Sequence, residues 1–132
     1  MDRSRNVVRV LVVDDQELFR RAITAVVAET DRFHVVGHVA TGEAAAAAVD
    51  ALQPDLVLMD VNLPGIDGLE ATRRVQARVP APVVLLLSTY DEEVGRGYVV
   101  ESGAADYLTK ACFGPEVLEQ AWARATGRPE SR

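Results

Sequence analysis

Four places along this chain carry side chains whose kinds and spacing suggest reaction chemistry: Asp14-Asp15, Asp60, Ser88-Thr89 and Lys110. Each directly follows, or closes, a short run fit to be a β-strand. Three carboxylates brought together repel one another, and one ammonium offsets only one of them. A hard divalent cation held by a few carboxylates and waters relieves the rest, which suits Mg²⁺. A carboxylate in that setting can attack a phosphoryl donor and form an acyl phosphate. Metal and ammonium would neutralise the phosphoryl oxygens in the transition state, and a serine hydroxyl can donate to the phosphoryl group once it is attached. A lone polar residue at a strand end needs no function. An ordered set at the ends of four strands is what a reactive rim looks like.

The elements that must position this set are legible as alternating patterns. Val7 to Val13, Val35 to Val39, Leu56 to Met59 and Val83 to Leu87 are short apolar runs suited to strands buried on both faces. A shorter strand is expected at Asp106 to Thr109. Between them Leu18, Phe19, Ala22, Ile23, Val26 and Val27 recur at helical spacing, and Ala44 to Leu52 reads as an alanine-rich helix capped by Thr41. Gly68 to Val79 should turn Leu69, Thr72 and Val75 to one side, and the last helix should start at Pro115 and bury Val117, Leu118 and Ala121. Strict β–α alternation predicts a doubly wound α/β sheet of five parallel strands with five helices. Such sheets bind ligands beyond the carboxyl ends of their strands, where the polar set falls.

The fourth helix, Glu92 to Ser102, is the weak one. Gly95 and Gly97 lie in its interior, at about 1 kcal/mol each relative to alanine. Its first half is therefore expected to be frayed, shifted or mobile until modification orders it, and replacing both glycines by alanine is expected to stabilise the protein.

Composition bounds the rest. The 132 residues fit one domain, taken as 1–125 with a tail or linker start at 126–132. At 48% hydrophobic and 26% charged the chain is ordinary globular material. It has no apolar run of the roughly 18–20 residues a membrane span requires, and Met1 to Arg5 carries no signal-peptide pattern. One cysteine, Cys112, excludes an internal disulfide framework and points to the cytoplasm. A net charge of −6 argues against a grip on nucleic acid.

Over nearly its whole folded length the sequence resembles the receiver domains of bacterial two-component response regulators. The matching stretches are Leu11-Val12-Val13-Asp14-Asp15, Asp60-Val61-Asn62-Leu63-Pro64-Gly65-Ile66-Asp67-Gly68, Leu87-Ser88-Thr89 and Gly103-Ala104-Ala105-Asp106-Tyr107-Leu108-Thr109-Lys110, with Ser88 and Lys110 spaced 22 positions apart. The resemblance implies a flavodoxin-like fold with strand order 2-1-3-4-5. It makes Asp60 the phosphoacceptor, Asp15 a direct Mg²⁺ ligand, Asp14 a ligand through water, and the Asn62 carbonyl part of the metal shell. Lys110 would hold the phosphoryl oxygens, Ser88 would be the switch hydroxyl, and Tyr107 the aromatic that changes rotamer with it. Lys110 is the only lysine among fourteen basic residues, in keeping with a crowded site that a planar guanidinium fits poorly.

The implied partners are a sensor histidine kinase and, on phosphorylation, a second copy of the chain, through the face of helix 4, strand 5 and helix 5. DNA would be contacted only through an output domain not contained in these residues. Many receivers follow the lysine with a cis proline; here Ala111 follows, and a cis bond there would cost about 2.5–4 kcal/mol. A trans peptide is expected, a pattern similar to the NarL/FixJ class, in which a helix-turn-helix output domain follows. The bulk of Tyr90, with Asn62, suggests a phosphoaspartate lasting minutes instead of seconds.

Competing readings are weaker. A phosphatase of the haloacid dehalogenase kind wants an acid two residues after its nucleophile, where Asn62 stands. A degenerate receiver acting as a constitutive binding module would not need the intact Asp15, Asp60, Ser88 and Lys110, and a stand-alone receiver acting by protein contact remains the alternative to a DNA-binding regulator. No enzymatic turnover is expected. His34 is expected toward solvent and His38 on the rim side, neither with a relay role. Trp122 should be a partly packed surface aromatic, Cys112 a free loop thiol, and Ala44 to Ala48 a matter of helix propensity.

Overall fold

The computed structural model describes residues 7–89 and 91–127, apart from the side chain of Glu92. Five strands, β1 (Val8–Val13), β2 (Phe33–Val39), β3 (Leu56–Asp60), β4 (Val83–Ser88) and β5 (Asp106–Thr109), alternate with helices α1 (Glu17–Glu29), α2 (Gly42–Leu52), α3 (Gly68–Gln76), α4 (Glu92–Ser102) and α5 (Pro115–Thr126). The strands are parallel in the order β2-β1-β3-β4-β5, as expected.

Alternation along the buried strands explains the two layers. Leu11, Val13, Val57, Met59, Val84 and Leu86 pack on one face against Ala45 and Val49 of α2 and Leu69, Ala71 and Val75 of α3. Val10, Val12, Leu56, Leu58, Leu85 and Leu87 pack on the other against Ile23 and Val27 of α1 and Leu118 and Ala121 of α5. Successive side chains point to opposite faces, so a continuous apolar run serves both layers at once. Each fully buried Leu or Val contributes about 1.5–3 kcal/mol.

Several ends differ from the sequence reading by a residue or two. β2 starts at Phe33, which pairs with Val8 of β1; its ring is buried and meets Trp122 edge-on, with ring centroids 6.1 Å apart. β3 and β4 extend to include Asp60 and Ser88. Thr41 caps α2 as expected, its hydroxyl accepting from the Ala44 N–H. Of the α1 residues grouped by spacing, Ile23 and Val27 are buried, whereas Leu18 is 79% exposed.

α4 is regular from Glu92 to Ser102, so the expected fraying or shift of its first half is not found. Two features compensate for its glycines. The Asp91 carboxylate accepts from the Val94 N–H at 3.1 Å, a cap of about 1 kcal/mol. Gly95 lies against the ring of Tyr107, where a Cβ would come within 2.0 Å of Cδ2. Glycine at 95 is thus a packing requirement. A Cβ at Gly97 would meet nothing within 4 Å. After β5, Lys110–Cys112 form a 3₁₀ turn. Among the described residues the cis peptide is Val79–Pro80, so the Lys110–Ala111 bond is trans as expected.

Candidate functional site

Register brings the polar set to one edge. β1 aligns Val13 with Met59 of β3, which sets Asp14 beside Asp60. β3 aligns Asp60 with Leu87, one residue before Ser88, and β4 aligns Ser88 with Thr109, one residue before Lys110. Parallel strands in this order therefore deliver Asp14, Asp60, Ser88 and Lys110 to the same rim without any long loop.

The contacts are close. Lys110 Nζ lies 3.3 Å from Asp14 Oδ2 and 3.5 Å from Asp60 Oδ2, with its side chain 13% exposed. Asp14 and Ser88 are fully buried, Asp60 is nearly so, and Asp15 is exposed. The N–H of Asn62 donates to Asp60 Oδ1 at 3.2 Å, and that of Gln16 to Asp14 Oδ1 at 2.8 Å. Burial pushes the Asp60 carboxyl up to about 6; the Asp14 charge adds to this, and Lys110 and the Asn62 N–H pull it only part of the way back.

One oxygen from each of Asp14, Asp15 and Asp60 lies within 4.8 Å of the others. Three carboxylates faced by one ammonium leave a surplus of negative charge on hard oxygen donors. That donor set fits Mg²⁺, which takes oxygen ligands and keeps several waters.

Tyr107 is buried, 7% exposed, with its ring under α4 at Gly95. Thr89, next to Ser88, is exposed. His34 and His38 are exposed, as is Cys112, and Trp122 is half-buried. Tyr90, invoked for shielding, lies outside the described residues, as do Met1 to Arg5 and 128–132.

Four residues support the rim in roles that the sequence analysis did not assign. Arg20 donates from its guanidinium to the Asp14 carbonyl at 2.7 Å, tying α1 to the β1–α1 loop. The ring of Phe19 lies under the Lys110 ammonium, 3.9 Å from centroid to Nζ. A Cβ at Gly68 would come within 2.1 Å of the Asp60 carbonyl, so only glycine lets α3 begin directly behind the strand that ends in Asp60. Asp67 caps α3 through Glu70 N–H at 2.9 Å. The last was readable, since Asp67-Gly68-Leu69-Glu70 has the spacing of a capping box. The first three depend on contacts between elements and leave no local signal.

Comparison with known proteins agrees with this geometry. Residues 10–123 match the family model described as the response regulator receiver domain. The transcriptional regulatory protein DegU of Brevibacillus brevis is 35% identical over 116 residues, which are 88% of this chain and 49% of that protein. The response regulator GacA of Pseudomonas viridiflava is 40% identical over 112 residues, 85% of this chain and 52% of that protein. The chain thus spans about half the length of these relatives. The signal receiver domain of a response regulator named NarL from Mycobacterium tuberculosis superposes with a TM-score of 0.80 at 33% identity, covering 92% of this chain and 98% of that one.

Proposed function

The chain belongs to the response regulator receiver family, a module of two-component signalling, and on that footing we propose that Asp60 is its phosphoacceptor and that Asp14, Asp15, Ser88, Lys110 and Tyr107 serve the transfer and its read-out. The observation that carries this reading is the Asp60 carboxylate, buried at the rim and held between the Lys110 ammonium and the Asn62 N–H.

The chemistry follows from those contacts. The Asn62 N–H engages Oδ1, which leaves Oδ2 to attack the phosphorus of a kinase phosphohistidine. The O–P bond forms as the P–N bond breaks, and the imidazole leaves with a proton. Lys110, already beside Oδ2, follows the charge onto the phosphoryl oxygens. Mg²⁺ held by Asp14, Asp15, Asp60 and the Asn62 carbonyl would supply further neutralisation of those oxygens. Ser88 then donates its hydroxyl to the new phosphoryl group. Because Ser88 ends β4, its movement draws on the segment leading into α4, whose underside carries Tyr107. The result is a stoichiometric switch of a protein-binding face, not a turnover reaction.

The source of the phosphoryl group is a sensor histidine kinase in this reading. The response is pairing of two copies through α4, β5 and α5, a face on which Val100 of α4 is 86% exposed. With residues 1–125 as the receiver and 126–132 leading onward, DNA contact belongs to an output domain. The net charge of −6 disfavours such contact by the receiver itself, and one relative of about twice the length is named a transcriptional regulatory protein. The cytoplasm is the compartment where such a kinase would deliver; among the described residues no helix is long and apolar enough to cross a membrane.

Incubation with acetyl phosphate and Mg²⁺ should add the mass of one phosphoryl group to the intact protein. Chelation of the metal, or Asp60→Asn, should abolish the addition. Full addition to the Asp60→Asn protein would overturn the assignment.

A further inference from the structure

Lys110 reaches the rim on a flexible stem of four carbons, and such a stem does not by itself keep an ammonium aimed at one carboxylate. The ammonium has three N–H groups. Two carboxylates stand within reach, Asp14 at 3.3 Å and Asp60 at 3.5 Å. An aromatic face lies beside it as well: Nζ sits 3.9 Å from the centre of the Phe19 ring, well inside the range for attraction between a cation and an aromatic face.

The ring is itself fixed. Phe19 packs against the cluster built from Ile23, Val27 and Leu118, and Arg20, the next residue on α1, is bonded to the Asp14 carbonyl. The first turn of α1 is therefore docked on the rim by two adjacent side chains, one gripping the loop and one facing the ammonium. We infer that Phe19 is a positioning residue for phosphoryl transfer: its ring face confines the Lys110 ammonium to the carboxylates and keeps it ready for the incoming phosphoryl oxygens. This deepens the reading of Asp60 as phosphoacceptor and rests on it. The ring touches no reacting atom; it acts through Lys110.

The test uses the fact that Lys110 is the only lysine. Protein labelled with isotope in lysine alone gives one ε-methylene signal, which the face of Phe19 should shift upfield. In Phe19→Leu, of similar bulk but without the aromatic face, that signal should return toward its position in a free peptide. In Phe19→Tyr it should stay upfield. The rate of labelling by acetyl phosphate at saturating Mg²⁺ should fall about threefold to tenfold in the leucine variant, the scale of a partly desolvated cation–π contact, and recover in the tyrosine variant. A Lys110 signal that is unshifted in the parent, or unmoved by Phe19→Leu, would overturn the inference. So would a rate that falls equally in both variants, because a general packing defect would do the same. Absence of labelling in every protein, the parent included, with the lysine signal moving as described, leaves the positioning contact standing and overturns the phosphoacceptor reading instead.

Discussion

The Asp60→Asn substitution should stabilise the metal-free protein at neutral pH. The folded state raises this carboxyl from 3.8 to about 6, so the folded protein binds the proton more tightly than the unfolded chain does. Between about pH 4 and pH 6 the native state holds more protons, and stability falls as pH rises through that window. Below it the carboxyl is protonated in both states and no penalty remains. Above it the penalty is complete, and two pH units at about 1.4 kcal/mol each amount to about 3 kcal/mol. Asparagine keeps an oxygen to accept the Asn62 N–H and removes the buried charge beside Asp14. For a domain of this size, about 3 kcal/mol corresponds to a rise of roughly 10 °C in Tm. Thermal melts of both proteins in chelator, at pH 7 and pH 4, measure it. The gap should be large at pH 7 and should nearly vanish at pH 4. Added Mg²⁺ should narrow it at pH 7 by stabilising the parent more than the variant, which has lost one carboxylate ligand. Equal gaps at the two pH values, or a less stable asparagine variant at pH 7, would refute the reasoning.

The two glycines of α4 should respond in opposite directions to alanine. Gly97→Ala, in open space, should gain up to about 1 kcal/mol in denaturant unfolding; Gly95→Ala should lose stability, because its methyl group collides with the Tyr107 ring. Lys110→Arg should lower the rate of labelling by acetyl phosphate despite its retained charge, since a planar fork cannot occupy the space of an ammonium 3.3 and 3.5 Å from two carboxylates. Ser88→Ala should still accept the phosphoryl group but fail to pair in sedimentation of the phosphorylated protein.

Much of this fold and rim was legible because its signals are local or ordered. Runs such as Leu56 to Met59 and Val83 to Leu87 are apolar at successive positions and short, which suits a strand covered on both faces. Asp14, Asp60, Ser88 and Lys110 come together because parallel strands of similar length end at one edge, a consequence of topology alone. Gly95 was misread for a matching reason. Helix propensity sees only the chain nearby, whereas the space at 95 is taken by a ring from β5. The Phe19–Lys110 contact was hidden likewise: an apolar residue at helical spacing looks like any other, and its partner lies at the far end of the sequence. Exposure of Leu18 is the counterpart, an apolar residue grouped with the buried stripe although it stands nine residues, two and a half turns, from Val27 and so on the opposite side of α1.

The central claim is that one carboxylate among three at the rim takes the phosphoryl group, and the most direct measurement is to find which. An acyl phosphate on aspartate is reduced by borohydride to homoserine, a change that fragment masses of the digested protein assign to a single position. After reaction with acetyl phosphate and Mg²⁺, homoserine should appear at position 60, with Asp14 and Asp15 intact. Homoserine at position 14 or 15, or at any other aspartate in place of Asp60, would contradict the account.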